Sequence, residues 1–332
     1  MIAVGIDIAK AKFDAVIRQD KGSAKKQKKA KHKVFDNNEV GFQNFLAWLG
    51  VPAKEHSHIC MEATNSYGFA LAYFLTGQGY NVSIINPKQI KAFAQSDLKR
   101  NKTDKLDAEI IAEFCYQKSP RYWQPVSEKM QEFQALYRRW EVLKDMIAQE
   151  KNRLDSERNA LVRASIESHL SYLEQQGEAL EAALATHVQT DPLLHQRYTL
   201  LESIPGIGKV TSYCLLAEVP FEVFSHVNEL VAFAGLNPSV HTSGQFQGKT
   251  KISKVGSARL RKALYFPAIA AAQHNPLIRP LVQRLEHAGQ CQLYILCAVM
   301  RKLLHFAFGV LKSNSPFDPH YLDKPSHVPL TP

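Results

Sequence analysis

Four carboxylates stand where an α/β fold gathers ligands. Asp7 closes the apolar run of GIDIAKAKFD, Glu62 closes that of HICMEAT, and RNKTDKLDAEIIAEF sets Asp104 and Asp107 three residues apart at the start of a helix, hence on one face of it. Brought together from two strand ends and one helix, such groups repel one another unless a cation neutralises them. A hard, oxygen-seeking ion such as Mg2+ suits carboxylate and phosphate together, and two ions about 4 Å apart serve phosphoryl transfer by activating a nucleophile and stabilising the leaving oxygen. Acids in these positions are also ordinary helix caps, and Asp14, Asp97 and Glu109 lie nearby, so spacing alone leaves both readings open. Lys99, Arg100, Lys102 and Lys105 around the helix start supply the cations that a phosphodiester site needs.

A second set of residues lies past the middle of the chain. LLESIPGIGKVTSYCLLAEV has the form helix, tight glycine turn, helix, as in helix-hairpin-helix modules. There the backbone N–H groups at Gly206, Gly208 and the following Lys209 suit a phosphate without reading sequence, although a plain helix pair has the same form. Further on, Ser243 and Gly244 occupy a polar, glycine-rich loop ahead of Lys249, Lys251, Lys254, Arg259, Arg261 and Lys262. A serine is a weak nucleophile unless activated. No His–acid relay adjoins Ser243, His241 is a candidate base, and Ser239, Ser253 and Ser257 compete with it, so a simple turn role stays open.

These residues need elements to position them. Residues 2 to 8 read as a strand, 12 to 18 as its antiparallel neighbour, and Val34–Phe35 opens a third. Asn37 or Asn38 caps a helix carrying Phe42, Phe45, Leu46 and Leu49. A strand at His58–Met61, a helix from Ser66 to about Thr76 and a strand at Asn81–Ile85 follow, with the acid-bearing helix after them. That order predicts an α/β domain of ribonuclease H-like type over 1–124. From 125 to 190, Leu136, Leu143, Ile147, Leu154 and Leu161, spaced 7, 4, 7 and 7, predict an amphipathic helix. A second stretch carries Leu170, Leu173, Leu180, Leu184 and Val188, and the pair serves either internal packing or a coiled-coil dimerisation arm. A compact all-α domain over 191–314 and a loosely ordered tail over 315–332 complete the expectation.

Composition narrows the partners. With 332 residues, 45% of them hydrophobic, the chain has material for two or three domains, and its net charge of +10 favours a polyanion. Seven lysines and no acid lie between Lys21 and Lys33, which reads as a basic hairpin insertion. Val231 to Leu285 holds eight Lys or Arg and again no acid, which reads as a phosphate-facing surface. The five cysteines, Cys60, Cys115, Cys214, Cys291 and Cys297, lack CxxC pairing, so the spacing suggests neither a disulfide framework nor a zinc site. No export signal opens the chain, and Arg301, Lys302 and His305 interrupt the apolar segment Leu293–Leu311, which reads as a buried helix. A cytoplasmic protein without a membrane anchor is expected. No GxxxxGK[ST] occurs, which disfavours an NTP-driven enzyme.

Taken in order, GIDIAKAKFD, HICMEAT with Tyr67, INPKQIKAFAQS, RNKTDKLDAEIIAEFC, LLESIPGIGKVTS, FAGLNPSVHTSGQFQGKTKISKVG and LRKALYFPA resemble the DEDD-type insertion-sequence transposases and their relatives, the pilin-gene DNA invertases, over nearly the whole chain. The resemblance implies a ribonuclease H-like, resolvase-type domain, a coiled-coil segment and a helical transposase domain. It implies that Asp7, Glu62, Asp104 and Asp107 are the DEDD metal ligands and that Ser243 is the nucleophile. Transient 5′-phosphoserine linkages, a Holliday-type intermediate, and a structured non-coding guide RNA pairing with donor and target DNA come with it, as does a homo-oligomer, dimer or tetramer, on DNA. The lysine-rich insertion at 21 to 33 departs from the family pattern. Acids and serine in different domains lead us to expect a site completed only when protomers assemble on DNA. The rival reading is a metal-dependent junction-resolving nuclease without a covalent intermediate. A non-catalytic nucleic-acid-binding protein, for which the acids would be dispensable, is the third.

Overall fold

Alternation along the first strand assigns each side chain to a face, and the rest of the first unit follows from it. The computed structural model describes residues 2–18, 31–50, 54–63, 67–96, 104–239, 242–243, 246–247 and 251–321, so the lysine run lies largely outside the described residues. The chain divides into two compact units, Met1–Val126 and Ser127–Pro332.

In the first unit, β1 (Ile2–Ile8), β2 (Lys12–Arg18), β3 (Lys31–Asp36), β4 (Ser57–Glu62) and β5 (Asn81–Ile85) form one sheet in the order β3-β2-β1-β4-β5. The β1–β2 and β2–β3 pairings are antiparallel, and β1–β4 and β4–β5 are parallel. This mixed α/β sheet, covered by helices on both faces, is consistent with the ribonuclease H-like domain expected from the sequence. Val4, Ile6 and Ile8 of β1, with Phe13, Ala15 and Ile17 of β2, pack on α1 (Glu39–Leu49) and α2 (Phe69–Gly77). Phe13 meets Phe35 and Phe45 at centroid separations of 5.4 and 5.6 Å, contacts worth roughly 0.5–1.5 kcal/mol each beyond burial. Asn38 caps α1, its side chain accepting from Gly41 N at 2.9 Å, while Asn37 donates to Ala9 O at 3.0 Å.

The opposite face holds Ala3, Gly5 and Asp7 of β1 and belongs to α3 (Pro87–Ser96) and α4 (Asp104–Lys118). Gly5 is required there, because a Cβ on it would lie 2.2 Å from Ala108 O and Ala112 N. The helix backbone thus rests directly on the strand.

The second unit is helical. α5 (Glu128–Ser156) and α6 (Ala160–Thr190) lie side by side and antiparallel, tied by Lys151–Glu174 at 2.8 Å near one end and His187–Glu132 at 3.5 Å near the other. The leucine series does not run through one helix, since α5 stops at Ser156, Asn159 caps α6, and Leu161 is exposed at the tip. Phe133, Tyr137 and Trp140 of α5 and Leu184 and Val188 of α6 enter the same core as α7 (Pro192–Glu202), α8 (Lys209–Glu218), α9 (Val227–Phe233), α10 (Ala258–His274) and α12 (Gln292–Ser313). The helix pair therefore shares one core with the helices that follow it. α11 (Arg279–His287) lies between α10 and α12 in sequence and packs on both. Only α12, among the described helices, is long and apolar enough to cross a membrane; it buries Ile295, Leu296, Val299, Leu303, Ala307 and others along one side, as a core helix does. Beyond it Phe317 packs edge-on against Phe306 and donates its N–H to Ser203 Oγ at 2.8 Å, so the start of the expected tail is tied down; 322–332 lie outside the described residues.

Candidate active site

Strand register sets the acids. Ile6 pairs with Met61 across the parallel β1–β4 ladder, so the next residues, Asp7 and Glu62, are neighbours at the carboxyl ends of adjacent strands. Both alternate onto the α4 face. In open α/β sheets that end is where ligands bind. The direction of α4 follows from its contacts. Its later turns reach the far end of the sheet, where Glu113 pairs with Arg18 at 2.5 Å and Cys115 donates to His58 O at 3.4 Å. Arg18 and His58 are both opposite Ala3 in register. The first turn of α4, which carries Asp104 and Asp107, therefore lies toward the Asp7–Glu62 end, one residue ahead of the Ala108 that rests on Gly5. The positive end of the helix dipole faces these acids and offsets part of their repulsion. The side chain of Asp104, and Lys99, Arg100 and Lys102 altogether, lie outside the described residues.

A fifth carboxylate shares this place. Asp14 stands opposite Asp7 in the β1–β2 register, is buried, and bonds His32 Nε2 through Oδ1 at 2.7 Å. In the sequence Asp14 is one of three nearby acids, with Asp97 and Glu109, that leave the spacing ambiguous. The period-2 alternation of KFDAVIR, which places Asp14 beside Val16 on the α4 face, is the signal that finds it.

In the second unit Ser243 closes β7 (Thr242–Ser243), which pairs with β8 (Phe246–Gln247), Ser243 opposite Phe246. Outside this hairpin, β6 (Pro238–Ser239) pairs with β9 (Lys251–Ile252). Ser243 thus ends the first strand of the inner of two nested strand pairs between α9 and α10. Its side chain, His241 and Lys249 lie outside the described residues, as does the side chain of Lys251. The base of the excursion is pinned. Gly235 (φ 70) and Gly256 (φ 153) adopt conformations that disfavour side chains, and a Cβ on Gly256 would lie 2.4 Å from Phe233 O. Arg261 Nη1 donates to Ala234 O at 2.9 Å and to Gly256 O and Ser257 O at 3.2 Å. Lys254, just before, has a positive φ of 54.

The other expected phosphate contacts are engaged within the unit. Arg259 meets Glu218 at 3.2 Å and Glu141 at 3.7 Å, and Lys262 meets Asp145 at 2.7 Å. Lys209 meets Glu181 at 2.5 Å, a hydrogen bond that raises its proton affinity. Gly206 (φ 104) presses the α7–α8 turn onto α10, where a Cβ would lie 2.6 Å from Ala271 Cβ. Asn275, fully buried, donates to Pro205 O at 3.1 Å and fixes the same turn. Gly208 caps α8, is exposed, and has open space where a Cβ would stand.

Known proteins carry the same sequence pattern. Residues 4–161 match a family profile described as a transposase, of the DEDD type of IS110, and residues 198–283 match the transposase IS116/IS110/IS902 family. A pilin gene-inverting protein of Moraxella bovis is 32% identical over 320 residues, 95% of this chain and 97% of that protein. The transposase for insertion sequence element IS1328 of Yersinia enterocolitica is 24% identical over 95% of this chain and 98% of its own length. The transposase for IS1111A of Coxiella burnetii is 26% identical over 65% of this chain and 66% of its length. The chain belongs to the IS110 family of transposases. It is accordingly an enzyme of DNA recombination, and its DEDD character implies dependence on a divalent metal ion.

Proposed function

We propose that the chain is the transposase or site-specific recombinase of an insertion sequence, which cuts and rejoins donor and target DNA with Asp7, Glu62, Asp104 and Asp107 as metal ligands and Ser243 as nucleophile. The observation that carries this reading is the adjacency of Asp7 and Glu62 at the sheet end toward which the first turn of α4 brings Asp107. The donor set fits a hard cation, because it is made of carboxylate oxygens and lacks soft ligands. When bound there, Mg2+, as two ions, would supply Lewis acidity toward the phosphodiester and neutralise developing negative charge.

The chain's own groups supply the remainder. Ser243 Oγ attacks phosphorus, the 3′ oxygen leaves, and the DNA 5′ phosphate stays on the serine. Reversal by another 3′ hydroxyl rejoins the strands without loss of bond energy. The Gly208–Lys209 start of α8, a helix-hairpin-helix-like element, holds a backbone phosphate. Lys99, Arg100, Lys102, Lys249, Lys251 and Lys254 add phosphate contacts, while Arg259, Lys262 and Lys209 reach DNA only in exchange for their present acidic partners. None of these groups reads a base in an evident way, which suits a structured guide RNA that supplies sequence choice by pairing. The α5–α6 pair, acting as a coiled coil, would join protomers into a dimer or tetramer on cytoplasmic DNA.

The test is a recombination reporter in cells carrying the element's own flanking RNA. Asp7→Ala, Asp107→Ala and Ser243→Ala should each abolish product formation while protein level stays that of wild type. Wild-type recombination in the triple variant would refute the assignment.

A further inference from the structure

Three chemically reactive side chains meet on the α4 face outside the carboxylate cluster. His58 and Cys60 lie on β4, two residues apart and so on the same face, and Cys115 comes down onto them from α4. All three are essentially fully buried, at 1%, 0% and 0% exposure. Among the described residues they are the one group of three whose ligand atoms, an imidazole nitrogen and two sulfurs, all lie within 4.8 Å of one another.

Hydrogen bonding distinguishes the two nitrogens of His58. Ser83 Oγ donates its single proton to the carbonyls behind it, Arg121 O at 2.8 Å with Pro120 O at 3.2 Å, and so accepts from His58 Nε2 at 2.8 Å. Nε2 therefore carries the hydrogen, and Nδ1 presents a bare lone pair. That Nδ1 is buried without a hydrogen-bond partner. An orphaned acceptor at this depth costs free energy unless something occupies it. A histidine whose far nitrogen is held by a hydroxyl while its near nitrogen is unpartnered has the outer-shell support of a metal ligand. The ring is held further by Tyr122, edge-on at 4.9 Å between centroids. The two thiols are themselves unlike. Hydrogen bonding from Cys60 favours the thiolate at Cys115, whereas burial opposes it at Cys60.

We propose that His58 Nδ1, Cys60 Sγ and Cys115 Sγ form a site for a soft metal ion, zinc or copper(I), that fastens α4 to β4. Two sulfurs and one imidazole are the donors such ions select over magnesium. Metal–sulfur bonds of ~2.3 Å place the two sulfurs roughly 3.8 Å apart in a tetrahedral sphere. Ligands already within 4.8 Å reach that by small side-chain rotations. Loading replaces the proton on each sulfur that carries one with a metal bond and releases that proton to solvent. Because the pocket is closed, the ion enters as the unit folds. Its consequence falls on both elements that carry acids, since Cys60 precedes Glu62 by two residues on β4 and Cys115 follows Asp107 on α4. The inference does not rest on the proposed function.

The full chain would be unfolded with chelator and refolded in separate arms with zinc, with copper(I) under reductant, or with no metal, and bound metal measured by mass spectrometry. The site predicts about one tightly held ion per chain in one of the metal arms, and a higher Tm there than without metal. Cobalt(II) should give a thiolate-to-metal charge-transfer band. Cys60→Ala with Cys115→Ala, and separately His58→Gln in case the first fails to fold, should lower bound metal at least about tenfold. Cys291→Ser with Cys297→Ser should retain it. No ion in either arm, an ion retained by the refolded Cys60→Ala/Cys115→Ala protein, or a Cys60–Cys115 disulfide in the purified chain would each overturn the site.

Discussion

Asp14 stands directly across the β1–β2 ladder from Asp7, on the face of the sheet that α4 covers. Like charges directly opposed across a ladder destabilise a sheet. His32 Nε2 hydrogen-bonds one of the Asp14 oxygens from the β3 side. Asp7→Asn should abolish DNA cleavage while the variant still folds. Calorimetry with and without magnesium checks this, and the magnesium-dependent rise in Tm should shrink in the variant. A large loss of metal-free stability would instead make Asp7 a structural residue.

Gly5 is the point where α4 bears on β1. Gly5→Val should cost about 1–3 kcal/mol by overpacking, because the added carbons meet helix backbone and not flexible side chains. It should also depress cleavage beyond the loss of folded protein, since the same contact sets Asp107 relative to Asp7. Urea denaturation monitored beside activity per folded molecule separates the two effects.

Arg261 and Lys249 sit in one basic stretch but should behave differently. Arg261 is spent on three carbonyls at the base of the Ser243 excursion. Arg261→Ala should lower stability and activity while leaving the dependence of DNA affinity on salt nearly unchanged. Lys249→Ala should reduce the slope of log affinity against log salt by about 1. Binding titrations across salt concentrations check both.

His305 lies half-buried on α12, and burial, then Arg301 and Lys302, lower its proton affinity below the ordinary value of 6.5. The folded state thus resists protonation that the unfolded chain accepts. Stability should be full above pH 6.5 and fall as pH drops through that value toward the lowered one. His305→Gln should flatten that part of a Tm-against-pH curve, and an unchanged slope would contradict the attribution.

Much of the first unit was legible in the residues because period-2 and period-3.6 patterns are local properties. The alternation in IAVGIDI and KFDAVIR yields the two faces of the sheet, and the three-residue step from Asp104 to Asp107 yields their shared helix face. Spatial neighbours distant in sequence were not legible. The acid-free stretch from Val231 to Leu285 finds its counter-charges on other helices, with Glu141 and Asp145 from α5 and Glu218 from α8. The cysteines gave no metal spacing, yet Cys60 and Cys115 meet His58 through strand–helix packing. The leucine series of α5 failed at Leu161 for a different reason. Asn159 offers its side chain to the N–H groups of Leu161 and Val162, starting a new helix where the heptad alone would continue the old one.

The most direct test of serine recombination combines purified protein, the RNA encoded beside its gene, labelled donor and target DNA, and magnesium, followed by denaturation. The account predicts a protein–DNA adduct that survives denaturation in wild type and is absent from Ser243→Ala and from Asp104→Ala. DNA cut without an adduct, and cut equally well by Ser243→Ala, would contradict it and favour a junction-resolving nuclease that uses water.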